Sequence, residues 1–169
     1  PRFTMAAPSC FVTTFLANLE NEIPADCEQY PPGVLGAGLE MADFIIARAP
    51  QPVMLLGQQY CFFDRRGLRE AFTDVRRFYE VLRAPAQNTR LFVGPNPHGF
   101  SVHNQEAMVR FFATHAGTAA PRLRRTDALD DTSLVTPGGN TIAAGATPIY
   151  ELIADHARAL RQARPHKTP

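Results

Sequence analysis

The sequence predicts an α/β protein in which parallel strands are joined by crossover helices. Three observations carry this. Val53 to Leu56 and Leu91 to Val93 are short unbroken apolar runs, the mark of strands covered on both faces of a parallel sheet. Between them Leu68, Phe72, Val75, Tyr79 and Leu82 fall on one helical face, while Arg69, Glu70, Asp74, Arg76, Arg77 and Glu80 cover the others. After the second run Met108, Phe111, Phe112 and His115 again recur at helical spacing. The chain therefore alternates strand and helix three times.

Phe3 to Ala7 reads as the first core strand, ended by Pro8. Cys10 to Leu19 is apolar and rich in Thr and Phe, and reads as a continuing loop or a short helix. Asn21 to Gly38 is punctuated by Pro24, Pro31, Pro32, Gly33, Gly36 and Gly38, a long loop of the kind that carries function. The acids in and beside it, Glu20, Glu22, Asp26 and Glu28, read as a solvated face. Leu39 to Ala47 resumes helical spacing through Met41, Phe44 and Ile45, and Pro50 and Pro52 close it. Gly57 is expected to end the second strand, with Gln58 to Gly67 as the loop before the long helix. Gly94, Pro95 and Pro97 are expected to end the third, because a proline cannot donate to a sheet ladder. Asn104 is the expected N-cap of the next helix, and Gly117 its stop.

Residues 1–117 thus form one part, and 118–169 a linker, a hairpin and a C-terminal helix that pack on it or lead to another domain. Arg122, Arg124 and Arg125, followed by Asp127, Asp130 and Asp131, read as a charged linker. Pro137-Gly-Gly-Asn140, between short apolar runs, signals a hairpin over Leu134 to Gly145. Thr147 as N-cap and Pro148 at the first helical position start the last helix. Ile149, Leu152, Ile153, His156 and Leu160 share one side of it, and Arg158, Arg161 and Arg164 complement its C-terminal dipole.

Of the 169 residues, 45% are hydrophobic and 20% charged, an ordinary globular balance. A net charge of +1 gives no reason to expect nucleic acid or an anionic membrane surface. No apolar run reaches the roughly 18 residues of a membrane span. Cys10, Cys27 and Cys61 cannot all pair within one chain, and their spacing matches no zinc pattern. The first residue is Pro1, with no signal-peptide pattern, so a processed or truncated piece is expected.

The chemistry concentrates in Leu91-Phe-Val-Gly-Pro-Asn-Pro-His98-Gly99-Phe. A strand leads through a restricted loop into a histidine, and Gly99 leaves room beside the ring. Ligands bind at the carboxyl ends of strands in such sheets. A histidine there suits general-base work, since its ordinary pKa is near neutrality. The loop after the preceding strand carries Asp64. A carboxylate that orients a histidine is what a nucleophile–histidine–acid triad requires, and acid before histidine fits one known chain order. No nucleophile elbow of the G-x-S-x-G kind is present. Ser9 has no glycine beside it, Gly99-Phe-Ser101-Val-His103 lacks the second glycine and follows the histidine, and Ser133 lies in the distal part. The nucleophile is therefore expected upstream of Pro1.

At these residues the chain resembles the C-terminal half of an α/β-hydrolase of the acetylxylan-esterase-like kind. The likeness rests on Leu55-Leu-Gly57, Phe62-Phe-Asp64-Arg-Arg-Gly67, the helix Leu68 to Leu82, Phe92-Val-Gly94-Pro, Pro97-His98-Gly99-Phe, Glu106-Ala-Met108 and Phe111-Phe112. Leu134-Val-Thr-Pro-Gly-Gly and Gly145-Ala-Thr-Pro-Ile-Tyr-Glu-Leu are similar to a segment that follows the core in some large relatives. The resemblance implies a serine esterase that removes acyl groups, often from carbohydrate, with no metal or other cofactor and an extracytoplasmic setting. It implies His98 as general base. In similar loops the triad acid stands just before the two phenylalanines, and here that position is Cys61. Asp64 is the nearest carboxylate and the candidate orienter. Three alternatives stay open: an acid from elsewhere, a decayed site serving binding or assembly, and a Cys61–His98 nucleophilic pair. Another bond, as in a peptidase or dienelactone hydrolase, is open too. The expected partners are the N-terminal fragment of the same protein or a second copy, and the expected substrate is an ester, small or carbohydrate-borne.

Overall fold

The structure is a computed structural model, in which residues 3–21, 29–123, 136 and 139–164 are described. The chain separates into two compact units, Pro1–Leu123 and Arg124–Pro169. Cys27, Ser133, the acids Glu22, Asp26 and Glu28, most of the expected charged linker, and Leu134, Val135, Pro137 and Gly138 of the expected hairpin lie outside the described residues.

The first unit is built on two parallel strands, β1 (Val53–Tyr60) and β2 (Thr89–Pro97). The segment from Ala6 to Cys10 runs along the other edge of β1. It is bonded through Ala6 N–H to Pro52 O, Met54 N–H to Ala6 O, Leu56 N–H to Pro8 O and Cys10 N–H to Leu56 O. Pro8 does not end this segment, as the sequence suggested. It deletes one rung, the donor it lacks, and leaves two isolated bridges, Ala6 to Val53 and Ser9 to Leu56.

Alternation along β1 explains its unbroken apolar run. Val53 and Leu55 join the core with Val12, Phe15, Met41, Ile45, Leu68, Val75 and Tyr79. Met54 and Leu56 point the other way, onto Ala107 and Phe111. One face is covered by α1 (Phe15–Leu19), α2 (Met41–Ile46) and α3 (Arg65–Val81), the other by α4 (Val102–Ala116). Each fully buried Leu contributes roughly 1.5–3 kcal/mol of transfer free energy.

Both strands run past their expected ends. At Gly57 α3 crosses so closely that a Cβ would stand 2.3 Å from Leu68 Cδ2. At Gly94 a Cβ would stand 2.3 Å from Gln58 Oε1 and 2.6 Å from Asn104 Oδ1. These glycines mark close approach within strands, not strand ends. Among the described residues β2 pairs along one edge only, so Pro95 and Pro97 fit it.

Helix α3 also starts earlier than its apolar stripe, because Asp64 caps it by accepting from Arg66 N–H at 2.7 Å. Gly67 lies inside its first turn, where a Cβ would meet Thr13 Oγ1 at 2.3 Å. The Asp64 carboxylate also chelates the Arg66 guanidinium, with Nε at 2.9 Å and Nη2 at 2.5 Å. That hydrogen bond holds the carboxyl below its ordinary range. A depressed acid contributes stability above its unfolded pKa and loses it as pH falls through the folded one. Asp64→Asn keeps a good cap and removes the charge. The stability gap between wild type and D64N in urea melts is expected at neutral pH and to close in acid. A gap that stays constant with pH would contradict the ion pair.

Two more helices are capped by side chains, the second by a residue other than the one expected. Helix α2 begins with a reciprocal capping box between Glu40 and Asp43, and Glu40 also accepts from Phe15 N–H at 3.0 Å, tying α2 to α1. Helix α4 is capped by Ser101, while Asn104 is turned inward and fully buried. Gly117 ends α4 at φ 66, as read.

In the second unit, 140–145 form hydrogen-bonded turns, with Ala144 N–H on Asn140 O and Gly145 N–H on Ile142 O, where a hairpin arm was expected. Pro148, rather than Thr147, is the N-cap of α5 (Ile149–Ala163), so the helix starts one residue later than expected. No described helix is long and apolar enough to cross a membrane.

Candidate active site

Strands β1 and β2 stop level with each other, Tyr60 opposite Pro97. The next residue of each, Cys61 and His98, therefore leaves the sheet beside the other at its carboxyl end. Cys61 Sγ lies 3.1 Å from His98 Nδ1. Cys10 reaches the same end from the third segment and turns there with φ 52, a left-handed angle that costs a non-glycine residue roughly 1–2 kcal/mol. Its Sγ lies 3.3 Å from the Gly99 carbonyl oxygen, to which the thiol donates. The two sulfurs and a ring nitrogen of His98 all lie within 4.8 Å of one another.

The ring of His98 stacks on Phe62, with centroids 4.3 Å apart and planes at 27°. Its loop is held from inside the sheet. Gln58, 1% exposed, donates through Nε2 to Gly99 O at 3.0 Å and accepts through Oε1 from Asn96 N–H at 3.2 Å. Asn104 donates to Ser9 Oγ at 3.2 Å and Gly57 O at 3.3 Å, and accepts from Ser101 Oγ at 3.2 Å. Gly94 is what lets Gln58 and Asn104 meet. Two buried amides thus hold the histidine loop and its neighbours through side-chain hydrogen bonds.

The thiols shift in opposite directions. The hydrogen bond from Cys61 is the largest influence on Cys10 and, against the cost of burial, brings its pKa down to about 6. Ser9 and the charge of His98 act the same way. The same hydrogen bond and burial raise that of Cys61. One proton is thus easier to remove from the pair than the second.

His98 stands where the sequence placed it. The expected His98–Asp64 pairing is not formed: the Asp64 oxygens are engaged by Arg66, and the group on Nδ1 is Cys61. Nε2 of His98 makes no hydrogen bond among the described residues. Its ring lines a cavity of about 250 Å³ together with Cys10, Phe62, Phe63 and Phe100. Ser9 and Ser101 are bonded to Asn104 rather than to His98. His103 bonds Asn96 and His115 bonds Gln87 O, both away from the cluster.

Cys10, Gln58 and Asn104 are the site residues that sequence reading missed. Gln58 had a signal, an uncharged polar residue directly continuing a doubly buried strand. Cys10 had a weaker one, its place just beyond the first strand.

No protein-family profile and no curated protein matches the chain. Among solved structures it is similar to the methylesterase BT1017, with a TM-score of 0.54 and 23% identity over 69% of this chain and 25% of that one. It is also similar to a carbohydrate esterase family 15 glucuronoyl esterase from Caldicellulosiruptor kristjansonii, with a TM-score of 0.55 and 15% identity over 76% of this chain and 42% of that one. The chain thus spans less than half the length of either. The likeness establishes the architecture, a partial α/β-hydrolase fold.

Proposed function

We propose that this chain is the histidine-bearing part of a serine carboxylic-ester hydrolase that acts on carbohydrate esters, acetylxylan-esterase-like in kind. The observation that carries the reading is His98 itself. It sits at the carboxyl end of a parallel strand, with Nδ1 held by Cys61 and Nε2 free beside a cavity. Nε2 takes the proton of a nucleophilic hydroxyl as that oxygen attacks the ester carbonyl, and returns it to the leaving alcohol. Backbone N–H groups stabilise the oxyanion. The hydroxyl comes from polypeptide outside the described residues, the N-terminal part of the same protein or a second copy.

The pair Cys10–Cys61 takes the place of the usual carboxylate. With one charge on the pair, the Cys61 S–H donates to the Cys10 thiolate, and Cys61 Sγ accepts from Nδ1–H. That arrangement leaves the Nε2 lone pair available. Gly99 O loses the Cys10 donor but keeps Gln58 Nε2. Asp64, with its charge spent on Arg66, shapes the start of α3 instead.

A serine-reactive fluorophosphonate applied to the complete protein is expected to label a serine peptide outside this chain, and to do so far more slowly in His98→Ala. Among the described residues no carboxylate reaches Nδ1, which favours one competing reading, an inert hydrolase-like binding subunit. Absence of any labelled serine in an intact, folded sample would decide for it.

A further inference from the structure

We infer that Cys10, Cys61 and His98 form a binding site for a single thiophilic divalent cation of the zinc class. The inference goes beyond the esterase reading and does not depend on it. Three donors arrive from three different segments of one sheet, at the same end, with Cys61 Sγ 3.1 Å from Nδ1 and all three donor atoms within 4.8 Å. In a tetrahedral Cys₂His zinc site, Zn–S near ~2.3 Å and Zn–N near ~2.0–2.1 Å put the donors roughly 3.5–3.8 Å apart. The cluster needs adjustments of no more than about 1 Å to close on an ion.

The surroundings suit a soft cation. Asp64, the nearest carboxylate in sequence, is occupied by Arg66, so among the described residues sulfur and imidazole are the donors on offer. Binding releases whatever thiol protons remain on the pair to solvent and forms two metal–thiolate bonds. Phe63 N–H already points at Cys61 Sγ at 3.4 Å and remains as a donor to the bound thiolate. Loss of the Cys10 proton strands no acceptor, since Gly99 O retains Gln58. Phe62 stacking and the Gln58 bonds keep the imidazole in place. The fourth position opens on the 250 Å³ cavity and takes water.

One consequence rests on the esterase reading. A metal on Nδ1 fixes the neutral imidazole's proton at Nε2. That nitrogen then cannot accept a proton from a hydroxyl, so the loaded protein lacks its general base.

The test uses the full chain, chelator-treated and with thiols reduced, titrated with Cd²⁺ while thiolate-to-metal charge-transfer absorption is followed. Saturation at one equivalent is expected, with the band abolished by Zn²⁺. Cys10→Ser and Cys61→Ser are each expected to weaken binding by at least about 100-fold, and His98→Gln by about 10–100-fold. Cys27→Ser should leave the titration unchanged. Cys61 is only partly buried, so C61S remains informative if C10S fails to fold, with circular dichroism as the check. No band at one equivalent would overturn the site, as would a band undiminished in folded C61S. In the complete protein, hydrolysis is expected to fall in step with Cd²⁺ occupancy. Binding without any hydrolysis in the metal-free protein would sink the esterase reading and leave the site standing; hydrolysis without binding would do the reverse.

Discussion

His98→Ala in the complete protein is expected to lower kcat/KM for ester hydrolysis by about 10³-fold or more, the usual effect of deleting a general base that also activates the nucleophile. That is about 4 kcal/mol of transition-state stabilisation. The fold should barely notice. His98 is exposed, and its main packing contact is the stack on Phe62, worth roughly 0.5–1.5 kcal/mol. The distinguishing result is therefore a collapse of turnover with a melting temperature moved by only a few degrees. Turnover that survives in H98A would mean the proton goes elsewhere, and the geometry at Nδ1 would lose its catalytic meaning.

Gly94→Ala should do the opposite, acting on the fold first. The added Cβ would lie 2.3 Å from Gln58 Oε1 and 2.6 Å from Asn104 Oδ1, both on fully buried side chains. Neither amide can move without giving up a hydrogen bond and stranding its own buried polar atoms: Gln58 holds Asn96 N–H and Gly99 O, and Asn104 holds Gly57 O and Ser9. Overpacking costs about 1–3 kcal/mol, and a stranded buried polar group about 1–3 more. A loss of about 3–5 kcal/mol, or roughly 10 °C in Tm, is expected from thermal and urea melts. Gly36→Ala is the control, since its added Cβ would meet only Gly33 O at 3.6 Å. Equal stability of the two variants would rule out the amide lattice as the support of the histidine loop.

The elements set by hydrophobic period were readable from the chain, and those set by tertiary contact were not. Val53 to Leu56 and the stripe through Leu68, Val75 and Tyr79 announce a doubly covered strand and its helix, because burial imposes the pattern directly. Gly57 and Gly94 mislead because the reason for a glycine inside a strand is a neighbour, Leu68 in one case and Gln58 in the other. Ser101 and Asn104 exchange roles for the same cause: both can cap a helix, and the buried pocket beside Ser9 decides which one turns inward. At the site, the loop that presents His98 was legible and its companion was not. Asp64 looked like a partner by sequence distance, yet Arg66, two residues on, claims it first. Cys10 and Cys61 meet only because separate segments pair with β1 at particular offsets, information no local spacing holds.

That pairing has a consequence for how function depends on assembly. A parallel strand advances ~3.3 Å per residue, and a shift of one residue also turns each side chain to the opposite face. Were β2 displaced by a single step against β1, residue 98 would stand out of reach of residue 61, and Leu91, Phe92 and Val93 would each be turned to the opposite core face. The packing that seats these side chains therefore also sets the alignment on which the chemistry at this rim depends.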